Sequence, residues 1–301
     1  MLFIDKLSYS QNWNIGFCRI TPTDLSNEKT MGGIRWLKHP YRDRWFADPF
    51  ILKVTDDEVV VLVEECMISQ PQGIISELVI SRKNMKLLQK YELLQLDTHL
   101  SYPIIYKQNN KIYVCPENCE SGRLTLYEYD AETHKLVNPI VILNEPVVDA
   151  TIIQQDNIFY LVATKSPESQ SNLFLYSSQN LFGPYTQVDV APVVVGLDNS
   201  RPGGNFFRAN GNLYRPAQNC HKRYGASLSV MKALITPHCY EEEFMFGIYP
   251  KSFKYNLGLH TINFGETYAV VDGYGYSYPI IGRVISFLRQ IKYSISKRKI
   301  W

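Results

Sequence analysis

The sequence predicts an all-β fold: a five-bladed β-propeller with a short C-terminal helix. Three observations predict it. A segment that opens an apolar strand recurs five times at intervals of about 50 residues. Each copy runs into a polar turn and a second apolar strand. The composition, 45% hydrophobic and 20% charged with 21 Tyr and 14 Phe, favours strands over helices.

The strand openers are Trp45-Phe-Ala-Asp48-Pro-Phe-Ile, Leu100-Ser-Tyr102-Pro-Ile-Ile-Tyr, Val147-Val-Asp149-Ala-Thr-Ile-Ile, Ser200-Arg201-Pro-Gly-Gly-Asn-Phe-Phe and Leu257-Gly-Leu-His260-Thr-Ile-Asn-Phe. Turn residues follow at Asp56-Asp57, Asn109-Asn110, Asp156-Asn157, Asn210-Gly211 and Gly265-Glu266. Second strands then read over 59–65, 111–117, 158–165, 212–218 and 267–272, and third strands over 77–82, 124–129, 173–177 and 226–232. Four short strands per unit, repeated radially, make propeller blades. The fifth unit is the shortest, so residues 13–20 are expected to return and close the ring. A β-sandwich with chance spacing is the alternative. The chain divides into a propeller over residues 1–278 and a basic amphipathic tail over 279–301.

Net charge of +2 gives no global reason to bind nucleic acid. Six scattered cysteines without a C-x-x-C pair indicate buried free thiols rather than a disulfide framework or a zinc site. Met1–Ser8 is too short an apolar run for a secretory leader, and no stretch of about 18 apolar residues occurs. A cytoplasmic location is expected.

In a propeller the first strand of each blade lines the central channel. Asp48, Ser101 with Tyr102, Asp149, Arg201 with Gly203 and Gly204, and His260 therefore converge, and the second strands add Glu64 or Glu65, Glu117, Lys165, Arg215 and Gln218. Two acids on separate blades can activate a nucleophile and assist a leaving oxygen on opposite faces of a sugar. Each position also has an ordinary alternative: Asp48 and Asp149 as turn caps, Lys165 and Arg215 as surface charges, His260 as a satisfied core histidine.

These motifs resemble the five-bladed propeller clan of the family 43 glycoside hydrolases. The resemblance implies a general base at Asp48, in Ala47-Asp48-Pro49, and an acid-tuning role for Asp149. It also implies a channel histidine at Gly258-Leu-His260, and the clan's structural calcium is a further implication near the channel; no metal site is otherwise evident. The clan opens blade four with a glutamate as general acid, where this sequence has Ser200-Arg201-Pro-Gly-Gly. A closer resemblance is to the N-terminal propeller domain of plant glucosamine inositolphosphorylceramide transferases and their free-standing bacterial relatives. It runs through Trp45-Phe-Ala-Asp-Pro-Phe, His99-Leu-Ser-Tyr-Pro, Asp149-Ala-Thr-Ile, Ser200-Arg-Pro-Gly-Gly and Tyr214-Arg-Pro-Ala-Gln-Asn-Cys. In the plant enzymes a separate domain resembles the recognised glycosyltransferase.

The expected function is sugar transfer in surface-polysaccharide or glycolipid assembly, on the inner face of a membrane, from an activated donor to a carbohydrate or lipid-linked acceptor. Asp48 would deprotonate the acceptor, Asp149 would orient the sugar, and Arg201 with Lys165 or Arg215 would hold donor phosphates. Trp45, Glu64, His99, Tyr102, Glu117, Gln218 and His260 would line the substrate site. A glycoside hydrolase of the arabinanase or xylosidase type using Glu117 or another second-strand acid, or a non-catalytic sugar-binding module, are the rivals. In the tail, Ile281, Val284, Ile285, Leu288, Ile291 and Ile295 recur at helical spacing among Arg283, Arg289, Lys292, Lys297, Arg298 and Lys299. That pattern suits an interfacial membrane helix, or a helix packed on the propeller.

Overall fold

The computed structural model describes residues 11–237 and 239–298, except for the side chains of Gln11, Pro71, Gln290 and every residue from 292 onward. Met1–Ser8 and the side chains of Lys292, Ile295, Lys297, Arg298 and Lys299 therefore fall outside the described residues. Five antiparallel sheets follow one another around a ring. Blade one is β3(Arg44–Val54), β4(Glu58–Met67), β5(Gln70–Ser81) and β6(Leu87–Leu94); blade two is β7(Ser101–Gln108), β8(Lys111–Glu117), β9(Leu124–Asp130) and β10(Lys135–Leu143). Blade three holds β11(Val147–Gln155), β12(Ile158–Lys165) and β13(Asn172–Ser178). Its outer edge is split between β14(Thr186–Gln187) and β15(Val194–Val195), both paired to β13. Blade four is β16(Phe207–Ala209), β17(Asn212–Asn219), β18(Ser227–Thr236) and β19(Cys239–Ile248).

Blade five joins the two ends of the chain. Its inner strands β20(Ile262–Phe264) and β21(Ala269–Tyr276) pair outward with β1(Gln11–Cys18), which pairs with β2(Arg35–Trp36). The N-terminal segment thus supplies two strands rather than the single one expected, and Trp13 lies opposite Tyr274. Between them sits a short helix α1(Pro22–Glu28) that the strand pattern does not announce. Its local signal is Thr21-Pro22-Thr-Asp24, a capping box in which Thr21 and Asp24 satisfy each other's backbone N–H.

The hairpin turns explain the register. Asn109-Asn110, Asp156-Asn157 and Asn210-Gly211 each hold two residues at positive φ, the geometry that matches strand twist in a two-residue turn. Between blades the sheet faces interlock in apolar layers, for example Phe50, Tyr102, Ile104, Leu126, Ile152 and Leu161. Burying each large side chain contributes about 1.5–3 kcal/mol. All six cysteines are unpaired, four of them buried.

Helix α2(Pro279–Arg298) leaves the end of β21. Its first turn packs on the propeller at Gly282, where a Cβ would collide with the Tyr276 ring, and Arg283 donates to the Phe253 carbonyl. On either side of that contact Ile280, Ile281, Val284, Phe287, Leu288 and Ile291 are exposed.

Candidate active site in the central channel

The same irregularity opens three blades. Pairing slips by one residue between Ala47 and Phe50, between Ser101 and Ile104, and between Val148 and Thr151. The bulged residues Asp48, Tyr102 and Asp149 have φ of 48°, 44° and 50°. A left-handed non-glycine residue costs about 1–2 kcal/mol, and bulges re-aim side chains. In blade four the corresponding stretch is Gly203-Gly204, with Gly204 at φ 136°. A Cβ on Gly204 would strike the Ile262 carbonyl, so only glycine fits.

Two charge clusters fill the channel. In the first, Asp272 is fully buried and its carboxylate accepts the backbone N–H groups of His260 (2.9 Å), Thr261 (3.1 Å) and Asp48 (3.3 Å). His260 Nδ1 lies 2.5 Å from Asp272 Oδ2 and 3.7 Å from Asp48 Oδ1. Thr261 Oγ1 donates to Asp48 Oδ1 at 2.6 Å. Burial by itself lowers the imidazole pKa, but Asp272 and Asp48 outweigh it and raise His260 to about 9. Burial also pushes the Asp48 carboxyl up, against the pull of His260.

In the second cluster Arg201 Nε donates to Asp149 Oδ2 at 2.6 Å, and Gln218 Nε2 donates to the same oxygen at 2.8 Å. Burial raises Asp149 to about 7 although Arg201 pulls it down, with Asp48 and Glu117 adding repulsion. Glu64 faces His99 Nε2 at 3.2 Å. Burial raises this carboxyl, and the hydrogen bond from His99 opposes it. That same bond to Glu64 raises His99 to about 9.

Asp48, Asp149, Arg201, Glu64, Gln218 and His260 are brought together at the channel, with His99 and Glu117 at its side. Glu117 accepts Ser101 Oγ at 2.7 Å and the Cys119 N–H at 2.9 Å. Tyr102 is a plug beneath the site: its hydroxyl bonds Thr151 Oγ1 at 2.9 Å and accepts the Gly204 N–H at 2.7 Å. Trp45 sits half-buried opposite Cys66.

Two expected phosphate holders point elsewhere. Arg215 is fully buried and spends its guanidinium on Glu242 and on the Asn199 and Ser200 carbonyls inside blade four. Arg215 and Gln218 are three positions apart on an unbulged strand, so the two face opposite sides. Lys165 pairs with Glu145 at 2.6 Å and Gln187 at 2.8 Å, over the Phe174 and Tyr176 rings. Of the adjacent acids, Glu65 turns away to Arg44, Lys90 and Ser76.

Three channel residues were not singled out as site residues by sequence. Trp13 stacks on His260 with centroids 3.9 Å apart. Tyr224, 42% exposed, meets the same ring edge-on at 5.4 Å and carries Arg201 over its face at 4.9 Å. Asp272 closes the first cluster. The signal for Tyr224 was Tyr224-Gly225, because Gly225 has φ 58° and a Cβ there would lie 3.0 Å from the His260 ring.

Asp48, His260 and Asp272 place three donor atoms within 4.8 Å of one another, a grouping the sequence did not indicate. His260 Nδ1 is already engaged by Asp272, and Asp48 Oδ1 already accepts from Thr261.

The five-bladed propeller fold is shared with solved structures of glycoside hydrolases. The chain superimposes on a thermostable family-43 glycoside hydrolase (TM-score 0.52, 12% identity, 71% of this chain and 80% of that one). It also superimposes on an exo-β-1,3-galactanase of Phanerochaete chrysosporium (0.55, 11%, 71% and 53%). A third match is the catalytic domain of a Coprinopsis cinerea α-L-arabinofuranosidase (0.54, 11%, 77% and 83%). At such identities the likeness concerns the fold. Residues 35–256 match the family described as glucosamine inositolphosphorylceramide transferase 1, N-terminal, and the chain belongs to it. It is similar to glucosamine inositolphosphorylceramide transferase 1 of Oryza sativa subsp. japonica, 29% identical over 200 residues, which are 64% of this chain and 26% of that protein. The Arabidopsis thaliana protein of the same name is 31% identical over 140 residues, 44% of this chain and 18% of its own length. The chain thus spans about a quarter of the curated rice relative it matches.

Proposed function

We propose that the propeller is a glycosyltransferase of glycolipid or surface-polysaccharide assembly. One observation carries this: the cation Arg201 stands in the channel, buried and paired to Asp149, at the blade-four opening where the resemblance to the clan implies a proton-donating glutamate. A guanidinium stabilises an anionic leaving group such as a phosphate; it does not protonate a glycosidic oxygen. Asp48, pushed up by burial, is the base for the acceptor hydroxyl, and Tyr224 offers an exposed ring for a sugar face. Membership of a family named for a lipid glycosyltransferase supports the same chemistry.

A peripheral position on the inner face of a membrane belongs to the proposal. The exposed apolar side chains of α2 support it, and no helix among the described residues is long and apolar enough to cross a membrane.

Hydrolysis is the second reading, favoured by one observation: Asp149, paired to Arg201, is raised to about 7, so about half of it carries a proton near neutral pH that a leaving oxygen could take. Purified protein with nucleotide-sugar or phosphoribosyl donors and membrane extract tests the two. Transfer of labelled sugar, reduced about 100-fold or more in Asp48→Asn, is the expected result. Release of sugar from chromogenic arabinofuranosides with no transfer would establish hydrolysis instead. Binding of sugar with neither activity, unchanged in Asp48→Asn, would make the propeller a binding module.

A further inference from the structure

Beside the channel, between blades five and one, lies a cleft of about 500 Å³ lined by Asn12, Trp13, His39, Arg42, Lys254 and Tyr278 among others. Its volume lies within the range of small-molecule sites, and none of its lining residues is acidic. The exposed side chains of Arg42 and Lys254 have no carboxylate partner among the described residues. Arg44, the third cation of the wall, is already neutralised by Asp43 at 2.8 Å and Glu65 at 2.5 Å. His39 Nδ1 is buried without a hydrogen-bond partner, and a buried polar atom left unpaired is costly. The cleft therefore presents two cations without a carboxylate partner, Lys254 lying over the Tyr255 ring at 5.1 Å, and an unsatisfied ring nitrogen.

Its position ties it to both ends of the proposed reaction. The Trp13 indole that lines the cleft is the one stacked on His260 in the channel. Arg42 lies two residues before the strand that delivers Asp48, and Arg44 opens that strand. Tyr278 on the opposite wall is the residue before Pro279, the first of α2, so the exposed apolar helix begins at the edge of the cleft.

We propose that this cleft binds a phosphoryl group, with Arg42 and Lys254 as its cationic ligands and His39 as a neutral one. The inference deepens the transfer chemistry above and rests on it only for the phosphate's origin: a diphosphate on a soluble donor, or the phosphodiester of a lipid headgroup at the membrane that α2 would touch. Arg and Lys both take phosphate through charge-assisted hydrogen bonds.

Calorimetric titration with inorganic pyrophosphate, and flotation with phosphatidylcholine vesicles with or without phosphatidylinositol, test it. The variants are Arg42→Ala/Lys254→Ala and a charge-matched control, Lys53→Ala/Lys107→Ala, at exposed positions on β3 and β7, each checked for an unchanged melting temperature. The expected result is binding that weakens about tenfold or more in the cleft variant and is unchanged in the control, with His39→Ala intermediate. A difference confined to phosphatidylinositol vesicles assigns a headgroup; one confined to pyrophosphate assigns a soluble donor. Equal binding by wild type and cleft variant, or no binding of either probe, overturns the proposal. Phosphate binding without sugar transfer would sink the transfer chemistry and leave the cleft standing; sugar transfer with a phosphate-indifferent cleft would do the reverse.

Discussion

Arg201 of the fourth blade donates from Nε to Oδ2 of Asp149 in the third, at 2.6 Å and almost out of reach of water. Arg201→Gln removes the charge that holds Asp149 down and leaves a buried carboxyl beside Gln218 alone. Loss of one partner of a buried pair costs about 3–5 kcal/mol. Urea denaturation should show that loss, and Asp149→Asn/Arg201→Gln should recover part of it.

His260 makes stability fall at alkaline pH. Its imidazole, ordinarily near 6.5, is raised to about 9 in the fold by Asp272 and Asp48, which overcome burial. The folded state therefore binds this proton more tightly than the unfolded chain. That contribution is complete below pH 6.5 and is lost as pH rises through about 9. It amounts to at most ~3 kcal/mol. Melting temperatures from pH 6 to 10 should fall across this window in the wild type and fall less in His260→Gln.

Tyr224 and Gly225 separate recognition from folding. Tyr224→Ala removes an exposed ring that supports no apolar core, so sugar affinity should drop roughly tenfold, the scale of an aromatic contact, with little change in melting temperature. Gly225→Ala should cost about 1–2 kcal/mol and weaken sugar binding too, because φ is 58° and the His260 ring would lie 3.0 Å from the new methyl. Equal affinities of wild type and Tyr224→Ala would remove the ring from the sugar site.

Arg215 tests a residue whose chemistry suggested phosphate and whose surroundings are structural. Arg215→Met should destabilise by about 3–5 kcal/mol, since Glu242 is left buried and unpaired. Arg215→Met/Glu242→Leu should regain much of it, and the folded double variant should transfer sugar at the wild-type rate. A loss of transfer in that folded variant would restore Arg215 to the site.

What the sequence by itself determined is what recurs locally. Strand period, Asn/Asp/Gly turns and an opener about every 50 residues were enough to count the blades and to place Asp48, Tyr102, Asp149 and His260 around one axis. In a propeller the same position in each repeat points to the same place. Only the tertiary structure decided what is not periodic. Whether Glu64 or Glu65, and Gln218 or Arg215, faces the channel depends on which side of each strand meets the axis, and one step along a strand reverses that. Trp13 and Tyr224 stand some two hundred residues apart in sequence and meet at His260 because the first strand closes the last blade. The bulges that turn two aspartates inward cost local backbone energy, and only the packed ring holds them there. The channel first legible as a pair of acids is, in three dimensions, two charge clusters: Asp48 with an imidazole and Asp272, and Asp149 with a guanidinium.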